Sequence, residues 1–329
     1  MQRARIVGTG TYLPKRVVTN DDLVTQFGIQ TSDEWIRERT GIRSRRIAAP
    51  DEATSDMAVA ASREALAQAG LKAEDVELIV VGTITPDMQF PACAAFVQAK
   101  LGASNATAFD VSAACAGSIY ALAVADSMVR TGAVKNALVI GAELLTRIVN
   151  WEDRSTCVLF GDAAGAMVLV PEKRPERGIL STHLHTDGTL ADILCIPGGG
   201  SLRPFDKMVL QEKAMFVTMK GGEVFKVAVR ALEAVAREAP SANGLKPADV
   251  DHVIAHQANL RILDAVMKRL EIPLSKCHVN IDQVGNTSSA SVPLTLDQAN
   301  RAGELRDGQI VLMMAIGGGM SWGSALVRW

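Results

Sequence analysis

No run in this chain comes near the roughly 18 consecutive apolar residues that a membrane-spanning helix needs. The opening MQRARIVGTGTYLP reaches glycines before a signal-peptide core could form, so a cytosolic protein is expected. Excess charge is missing too: 34 Lys and Arg stand against 36 Asp and Glu, a formal net charge of -2. That balance offers no bulk attraction to nucleic acid or to an anionic membrane. Cysteine is sparse, and Cys93, Cys115, Cys157, Cys195 and Cys277 lack the short paired spacing of a zinc site. An odd, scattered count argues against a disulfide framework, so free thiols and no metal are expected. Only 4% of residues are aromatic while 48% are hydrophobic. The interior must therefore be aliphatic, and large enough for two fused domains of about 150 residues each.

What the chain does have is a repeat. GLKAEDVELIVVG at 70–82 returns as GLKPADVDHVIAH at 244–256, an offset of 174 in 329 residues. Arg63-Glu64-Ala65 and Arg237-Glu238-Ala239 hold that register upstream, and ALVIGA from Ala137 meets VLMMAI from Val311 downstream. Two similar halves, 1–173 and 174–329, are expected to face each other. The second copy ends its strand on His256 where the first ends on Gly82, which puts a titratable group at a strand end, where α/β folds keep their chemistry.

Periodicity predicts strands near 4–8, 78–81, 106–111, 137–141 and 166–170 in the first half, with helices near 55–69, 93–100 and 116–131. The second half follows with strands near 178–183, 252–255, 278–281, 310–315 and 324–327 and helices near 221–236, 260–270 and 290–301. Such alternation implies mostly parallel sheets covered on both faces, and two stacked sheets make a five-layer α/β sandwich. Residues 21–51, Arg-rich and containing Trp35, and residues 186–213, rich in Gly and Pro, break the symmetry. Both read as surface excursions, and loops of that length in a compact domain ordinarily bind something.

DVSAACAGSIYAL sets Cys115 just after a strand, at the start of the helix from about 116. Unpaired amides and the positive helix end favour a thiolate there. Ala113, Ala114, Ala116 and Gly117 leave room for a thioester. A core cysteine at a tight helix–sheet contact would look the same, so its partners decide. HQANLRI puts His256 at the repeated strand's end with Asn259 three residues on, and VGNTSSAS puts Asn286 at a strand-to-helix turn. By the repeat, Asn286 shares the loop of Cys115, with a gap of a few residues in the register. Singly, such a His is a satisfied structural residue and such an Asn a helix cap; converging at the seam, they form a site. Gly317, Gly318 and Gly319 follow a buried strand, and the next strand is predicted only from 324. A tight hairpin then does not account for the triplet, whereas amides exposed to form an oxyanion hole, or a plain flexible loop, would.

These motifs together resemble one family, the β-ketoacyl-acyl-carrier-protein synthase III condensing enzymes of the thiolase fold. The resemblance runs along essentially the whole chain: GTGTYLP, TSDEWIRERTGIRSRRIA from Thr31, DVSAACAGSIYALAVAD from Asp110, FGDAAGA from Phe160, EVFKVAV from Glu223, HQANLRI, GNTSSASVPL from Gly285 and the terminal GGGMSWGSALVRW. It implies a thiolase-like αβαβα sandwich, with Cys115 as nucleophile and His256 and Asn286 completing a Cys-His-Asn triad. An Asn cannot act as a base, so such a site stabilises an enolate formed by loss of CO2. The implied substrates are an acyl-CoA, most simply acetyl-CoA, and malonyl-acyl-carrier protein, with no cofactor. Amides of Cys115 and Gly318 would make the oxyanion hole.

For CoA, the resemblance points to Trp35 and Arg154 sandwiching the adenine, with Thr31 and Arg39 nearby and Asn259 at the pantetheine end. Lys226, Arg261, Lys268 and Arg269 form a candidate basic rim for the acidic carrier protein, where a charged helix face that is merely solvated would look the same. A homodimer is implied, with Phe90 at the position from which a partner closes the acyl pocket, and Ile316 stands where the family often has Phe. Condensing enzymes of secondary metabolism and long-chain head-to-head synthases share the triad and differ in primer or acceptor. A Cys-His hydrolase would instead release free acid.

Overall fold

The computed structural model describes residues 2–329. The first half runs through β1 (Arg3–Tyr12), β2 (Arg16–Thr19), α1 (Asn20–Thr25), α2 (Asp33–Thr40), β3 (Ser44–Ile47), α3 (Thr54–Ala69) and β4 (Leu78–Gly82). It continues with α4 (Cys93–Leu101), β5 (Thr107–Val111), α5 (Gly117–Arg130), β6 (Ala137–Glu143), α6 (Arg154–Cys157) and β7 (Ala163–Glu172). The second half comprises β8 (Gly178–Thr186), β9 (Leu194–Cys195), α7 (Lys207–Gln211), β10 (Thr218–Met219), α8 (Gly221–Ser241) and β11 (His252–Ala255). It closes with α9 (Leu260–Leu270), α10 (Ile281–Val284), α11 (Ser291–Arg301), β12 (Ile310–Gly317) and β13 (Ser321–Arg328).

Two sheets, ordered β1-β7-β6-β4-β5 and β11-β12-β13-β8, form the two β layers. Successive side chains of a strand point to opposite faces, and β4 shows what each face buries. Ile79 and Val81 pack outward with Met57, Ala61 and Ala65 of α3. Leu78 and Val80 pack inward with Ile119 and Leu122 of α5 and Val292 and Leu296 of α11, which also cover Ile254 and Met313 of the second sheet. On that sheet's far face, Val253, Leu312 and Met314 meet Leu232 and Val235 of α8 and Leu263 and Val266 of α9. The layers are thus α/β/α/β/α, as expected.

The sheets are mixed rather than mostly parallel. β4 runs parallel to β5 and β6, but β7 is antiparallel to β6 and to β1. In the second sheet only β11 and β12 are parallel. The connection from β12 to β13 is too short for a crossover, so these strands can pair only as a hairpin.

The strand expected near 278–281 does not form. A single bridge joins Val253 to Cys277, after which the Gln257 carboxamide donates to the His278 carbonyl at 3.0 Å and accepts from the Asn280 amide at 3.2 Å. A side chain thus takes the backbone groups a ladder would need, and the chain turns into α10. Residues 21–51 are not an open excursion either. They fold as α1, α2 and the β2–β3 ribbon over a core in which Leu23, Ile29, Ile36 and Ile42 pack with Leu145, Val158 and Phe160 of the body. Arg45, fully buried, donates to Asn20 of α1 at 2.9 Å and fastens the block to the body through the Val158 carbonyl at 2.8 Å.

The internal repeat is more regular than the sequence register allowed. A short 3-10 turn, 114–116, leads into α5, and its counterpart, 288–290, leads into α11 at the same offset of 174. No gap is needed; the position matching Cys115 is Ser289, and that matching Asn286 is Ser112. The two turns meet at a seam lined by glycine. A Cβ on Gly141 would lie 2.1 Å from the Ser289 carbonyl oxygen, and one on Gly82 would lie 2.5 Å from the Gly117 carbonyl carbon. Ser289 Oγ donates to the Gly82 carbonyl at 2.6 Å across that contact.

Gly141→Ala should therefore cost about 2 kcal/mol or more, because backbone and not a flexible side chain must yield. Gly132→Ala, at φ +76 with open space around it, should cost only about 1 kcal/mol. Urea unfolding of both variants checks the difference.

Candidate active site

Cys115 projects from the 3-10 turn between β5 and α5. Ala114 before it has φ 45, and Ser288 in the facing turn has φ 50, left-handed backbone that L-residues hold only where the surrounding structure enforces it. Cys115 is buried in the wall shared by two cavities. The larger, about 530 Å3, is lined by Ile84, Leu145, Ile196 and Val217 with Ala114 and Gly318. The smaller, about 100 Å3, contains His256, Asn286, Asn259, Phe225 and Ile316. Only Cys115, Phe160 and Leu194 border both. The structure thus brings the expected sulfur, imidazole and carboxamide to one small chamber.

Asn286 is held as a donor. Its Oδ1 accepts the Ser288 amide at 2.9 Å, while its own backbone bonds to Leu159 at 2.8 Å and Gly161 at 3.0 Å. The carbonyl side of the carboxamide is occupied, so its NH2 is left for the chamber. His256 is oriented by its amide, which donates to Met314 at 2.8 Å. Its Nδ1 is sealed without a partner. A neutral ring with its proton on Nε2 avoids an orphaned buried N–H, which makes Nε2 the second donor. Burial alone pulls the imidazole down to about 3, so it stays uncharged at ordinary pH.

The cysteine is not the resting thiolate that its helix position implied. Burial pushes the thiol up to about 12; the Ser288 hydroxyl works against that, and the Glu143 carboxylate adds to it. The helix N-terminus lies close by, since α5 begins at Gly117, but the complete burial of the thiol is the largest influence on it. The glycine triplet also differs from expectation. β12 and β13 pair as far as Gly317 with Ser321, so residues 318–320 are a tight hairpin after all. β13 starts early because Ser321 and Trp322 pair with Thr186 and His185 of β8. The glycines matter for approach: a Cβ on Gly317 would come 2.4 Å from the Cys115 amide nitrogen, and one on Gly318 would come 2.8 Å from the Leu194 carbonyl oxygen.

Of the residues expected at the acyl pocket, Ile316 lies elsewhere, while Phe90 is expected to act from a partner copy. Ile316 lines the smaller chamber, because its register opposite Trp322 turns it toward Met320 and the α8 side of the sheet. Phe90 lines neither cavity of its own chain and is 87% exposed. The 186–213 segment is a wall rather than a free loop: Ala191, Leu194, Cys195 and Ile196 border the larger cavity.

Trp35, Arg39 and Arg154 do come together, with the Arg154 guanidinium 4.4 Å and that of Arg39 4.8 Å from the indole centroid. Adenine between two planes needs about 7 Å of separation, so one of these side chains must swing aside. Thr31 Oγ1, beside them, is buried without a partner. Asn259 lines the chamber while capping α9 and donating to the Arg39 carbonyl at 3.0 Å. On the α8–α9 face, Lys226 and Arg269 border one hollow together with Arg230. Arg261 lies over Phe225 at 5.9 Å and Lys268 pairs with Asp264 at 2.7 Å.

Sequence reasoning missed Phe160, Phe225, Arg230, Ser288 and Glu143. The last had a signal: it is the one charge inside ALVIGAELL, and the structure buries it completely.

Two models of the family described as 3-oxoacyl-[acyl-carrier-protein] synthase III match the chain, one over residues 109–188 and its C-terminal companion over 241–329. The chain is 54% identical over 326 residues to the β-ketoacyl-[acyl-carrier-protein] synthase III of Xanthomonas campestris, covering 99% of this chain and 98% of that protein. It is 51% identical over 330 residues to the corresponding protein of Alkalilimnicola ehrlichii, covering 100% of both. The crystal structure of 3-oxoacyl-[acyl-carrier-protein] synthase III from Aquifex aeolicus superposes with a TM-score of 0.91 at 47% identity, covering 99% of this chain and 100% of that one.

His256 gives a pH prediction. In the unfolded chain it takes a proton near pH 6.5, but in the fold only near 3. Its contribution to stability is intact above pH 6.5 and falls away toward pH 3, by up to about 1.4 kcal/mol per unit. Urea titrations at pH 7 and pH 4.5 should show a smaller acid loss for His256→Asn than for the wild type.

Proposed function

The chain belongs to the β-ketoacyl-acyl-carrier-protein synthase III family, and from that premise we propose how its own residues divide the work. The enzyme catalyses a decarboxylative Claisen condensation in which an acyl-CoA primer and malonyl-acyl-carrier protein give a β-ketoacyl-acyl-carrier protein, starting fatty acid synthesis. Acetyl-CoA is the primer in this reading. Cys115 carries the acyl group, and its place in the wall between the two cavities is the observation that supports this. The acyl chain points into the apolar larger cavity. The thioester arm of CoA, and after it that of the carrier protein, reaches Cys115 through the chamber of His256 and Asn286.

In the first stage the sulfur attacks the thioester, amides of Cys115 and Gly318 receive the oxyanion, and CoA leaves. In the second, the malonyl thioester carbonyl accepts from His256 Nε2 and Asn286 Nδ2. As CO2 departs, negative charge grows on that oxygen, and each preorganised donor is worth about 3 kcal/mol of barrier. The carbanion attacks acyl-Cys115. No group needs to remove a proton from carbon, which fits a carboxamide as the third member. The chemistry in this reading calls for no metal or cofactor.

The adenine sits at Trp35 with Arg39, Arg154 and Thr31, and Asn259 faces the pantetheine arm. Lys226, Arg261, Lys268 and Arg269 receive the carrier protein, with Arg230 added to that rim. The working unit is a homodimer in which a second copy brings its exposed Phe90 over the open side of the larger cavity. The halves 1–173 and 174–329 are read as fused copies of one unit. Among the described residues no helix is long and apolar enough to cross a membrane, and five free cysteines suit the reducing cytoplasm.

Incubation with acetyl-CoA should add the mass of one acetyl group to the wild type and none to Cys115→Ala. His256→Ala should still be acetylated yet lose malonyl-carrier-protein decarboxylation by about 100-fold or more. An acetylated Cys115→Ala, or undiminished decarboxylation by His256→Ala, would refute these assignments.

Reversing the charge at Lys226 to Glu should raise KM for malonyl-carrier protein about tenfold and leave acetyl transfer from CoA unchanged. Equal loss in both steps would remove Lys226 from the docking surface.

A further inference from the structure

Glu143 is a carboxylate in the deepest part of the molecule that the condensation does not use directly. It ends β6 with no exposed surface. Three donors of its own half converge on Oε2: Thr85 Oγ1 at 2.6 Å, the Ile84 amide at 3.2 Å and Thr83 Oγ1 at 3.3 Å. The threonine hydroxyls are themselves oriented, since Thr85 Oγ1 accepts the Leu144 amide at 2.9 Å and Thr83 Oγ1 accepts the Thr85 amide at 3.1 Å. Both therefore give their protons to the carboxylate. With Oε2 fixed against the segment after β4, Oε1 reaches across the seam and accepts the Ser288 hydroxyl at 3.0 Å.

Ser288 belongs to the turn that carries Asn286. The Asn286 amide donates to the Leu159 carbonyl at 2.8 Å and its carbonyl accepts the Gly161 amide at 3.0 Å. These bonds hold the main chain of Asn286 and leave its carboxamide free to rotate. What sets the carboxamide is the Ser288 amide, which donates to Oδ1 at 2.9 Å. Ser288 keeps that place with φ 50, a conformation that a serine holds only where its surroundings enforce it. Its hydroxyl, tied to Glu143, is where the surroundings take hold. Further along the same turn, Ser289 Oγ donates to the Gly82 carbonyl at 2.6 Å, and Ser291 Oγ accepts at 2.7 Å the amide of Gln257, the neighbour of His256.

We propose that Glu143 is a positioning residue for Asn286: through the Ser288 hydroxyl it fixes the turn whose amide holds Asn286 Oδ1, and so aims the carboxamide NH2 at the malonyl thioester oxygen. This inference rests on the donor role given to Asn286 above. Both links of the chain, Glu143 Oε1 to Ser288 Oγ and the Ser288 amide to Asn286 Oδ1, are hydrogen bonds of ordinary length. Glu143 touches no substrate and moves no proton.

A carboxylate suits this work better than a neutral acceptor. Both of its oxygens accept without a proton of their own, so it can bind donors from two halves at once. Hydrogen bonds to an ionised acceptor are also roughly twice as strong as neutral ones, which favours a turn that stays in place while charge develops beside it. Such fixity matters because displacing a catalytic group by about 1 Å can cost about 100-fold in rate.

The test is decarboxylation of malonyl-carrier protein, followed as CO2 release, in a double-variant cycle. Ser288→Ala cuts the link, and Glu143→Asp withdraws the carboxylate by one methylene, about 1.5 Å. Glutamine discriminates less well, since its NH2 could donate to Ser288 Oγ and restore the link in reverse. Ser288→Ala and Glu143→Asp should each lower kcat about tenfold or more with KM unchanged. Both should fall short of the loss of about 100-fold or more from Asn286→Ala, which removes the donor outright. Added to Asn286→Ala, each should lower kcat by less than about twofold further, because no carboxamide remains to be aimed. A substitution that merely loosened the core would act as strongly with Asn286 gone. Losses that multiply in the double variants would therefore overturn the proposal, and so would Ser288→Ala working at the wild-type rate. Should Glu143→Asp fail to fold, Ser288→Ala and its cycle decide alone. An Asn286→Ala enzyme with undiminished decarboxylation would refute the donor role itself, and the positioning role with it. A slowed Asn286→Ala enzyme with multiplying losses refutes only the positioning role.

Discussion

Two backbone turns from opposite halves touch at the centre of this molecule, and they can do so only where glycine leaves the space. Gly82, Gly117 and Gly141 line the contact, and a single methyl group at Gly141 would overlap the Ser289 carbonyl. That closeness sets everything else in the site. It puts Asn286 and Ser288 of one turn within reach of Cys115 on the other, and it explains why Ala114 and Ser288 are held in left-handed backbone. Strain of roughly 1–3 kcal/mol per such residue is sustained because α5 and α11, each starting from its turn, are locked between two sheets.

The same packing creates an electrostatic problem that the polar groups answer. Apolar walls suit an acyl chain, but they raise the thiol and strip the imidazole of its proton. A charged catalytic pair would be expensive in such surroundings. The site instead works with neutral donors whose acceptor sides are already engaged, as in Asn286, or sealed off, as in His256. Neutral donors fixed in advance gain most when charge appears only in the transition state. The buried carboxyl of Glu143 beside the facing turn is held by four hydrogen bonds.

Much of this was legible in the sequence because the repeat is strict. Strand ends near 82 and 256 follow from one offset, and small residues around Cys115 announce a close contact. What was hidden is instructive. Residues 278–281 alternate polar and apolar and read as strand, but the competing hydrogen bonds come from Gln257, more than twenty residues away in sequence, and no local pattern carries that. The early start of β13 depends on pairing with β8, again a distant partner. Residues 21–51 look like a loop because their apolar positions, Leu23, Ile29, Ile36 and Ile42, are spaced among arginines; only the tertiary fold gives them a common core. The burial that raises the Cys115 thiol was hidden for the same reason, since helix position is local and desolvation is not.

Duplication explains how opposite requirements coexist at one seam. At the offset of 174, the first copy ends two neighbouring strands on Gly82 and Glu143, and the second places His256 directly after one equivalent strand and ends the other on Gly317. Each copy thus keeps one glycine, where the other copy's turn must approach, and spends the other strand end on a side chain. Gly317 lets the hairpin reach the Cys115 amide, while its counterpart Glu143 accepts the Ser288 hydroxyl of the facing turn. His256 faces the chamber, while its counterpart Gly82 accepts Ser289, the residue at the position matching the nucleophile. Had both copies kept the same residues, either the turns could not meet or the site would lack its donor. The chemistry depends on how the halves differ at four strand ends, and the geometry depends on how they agree everywhere else.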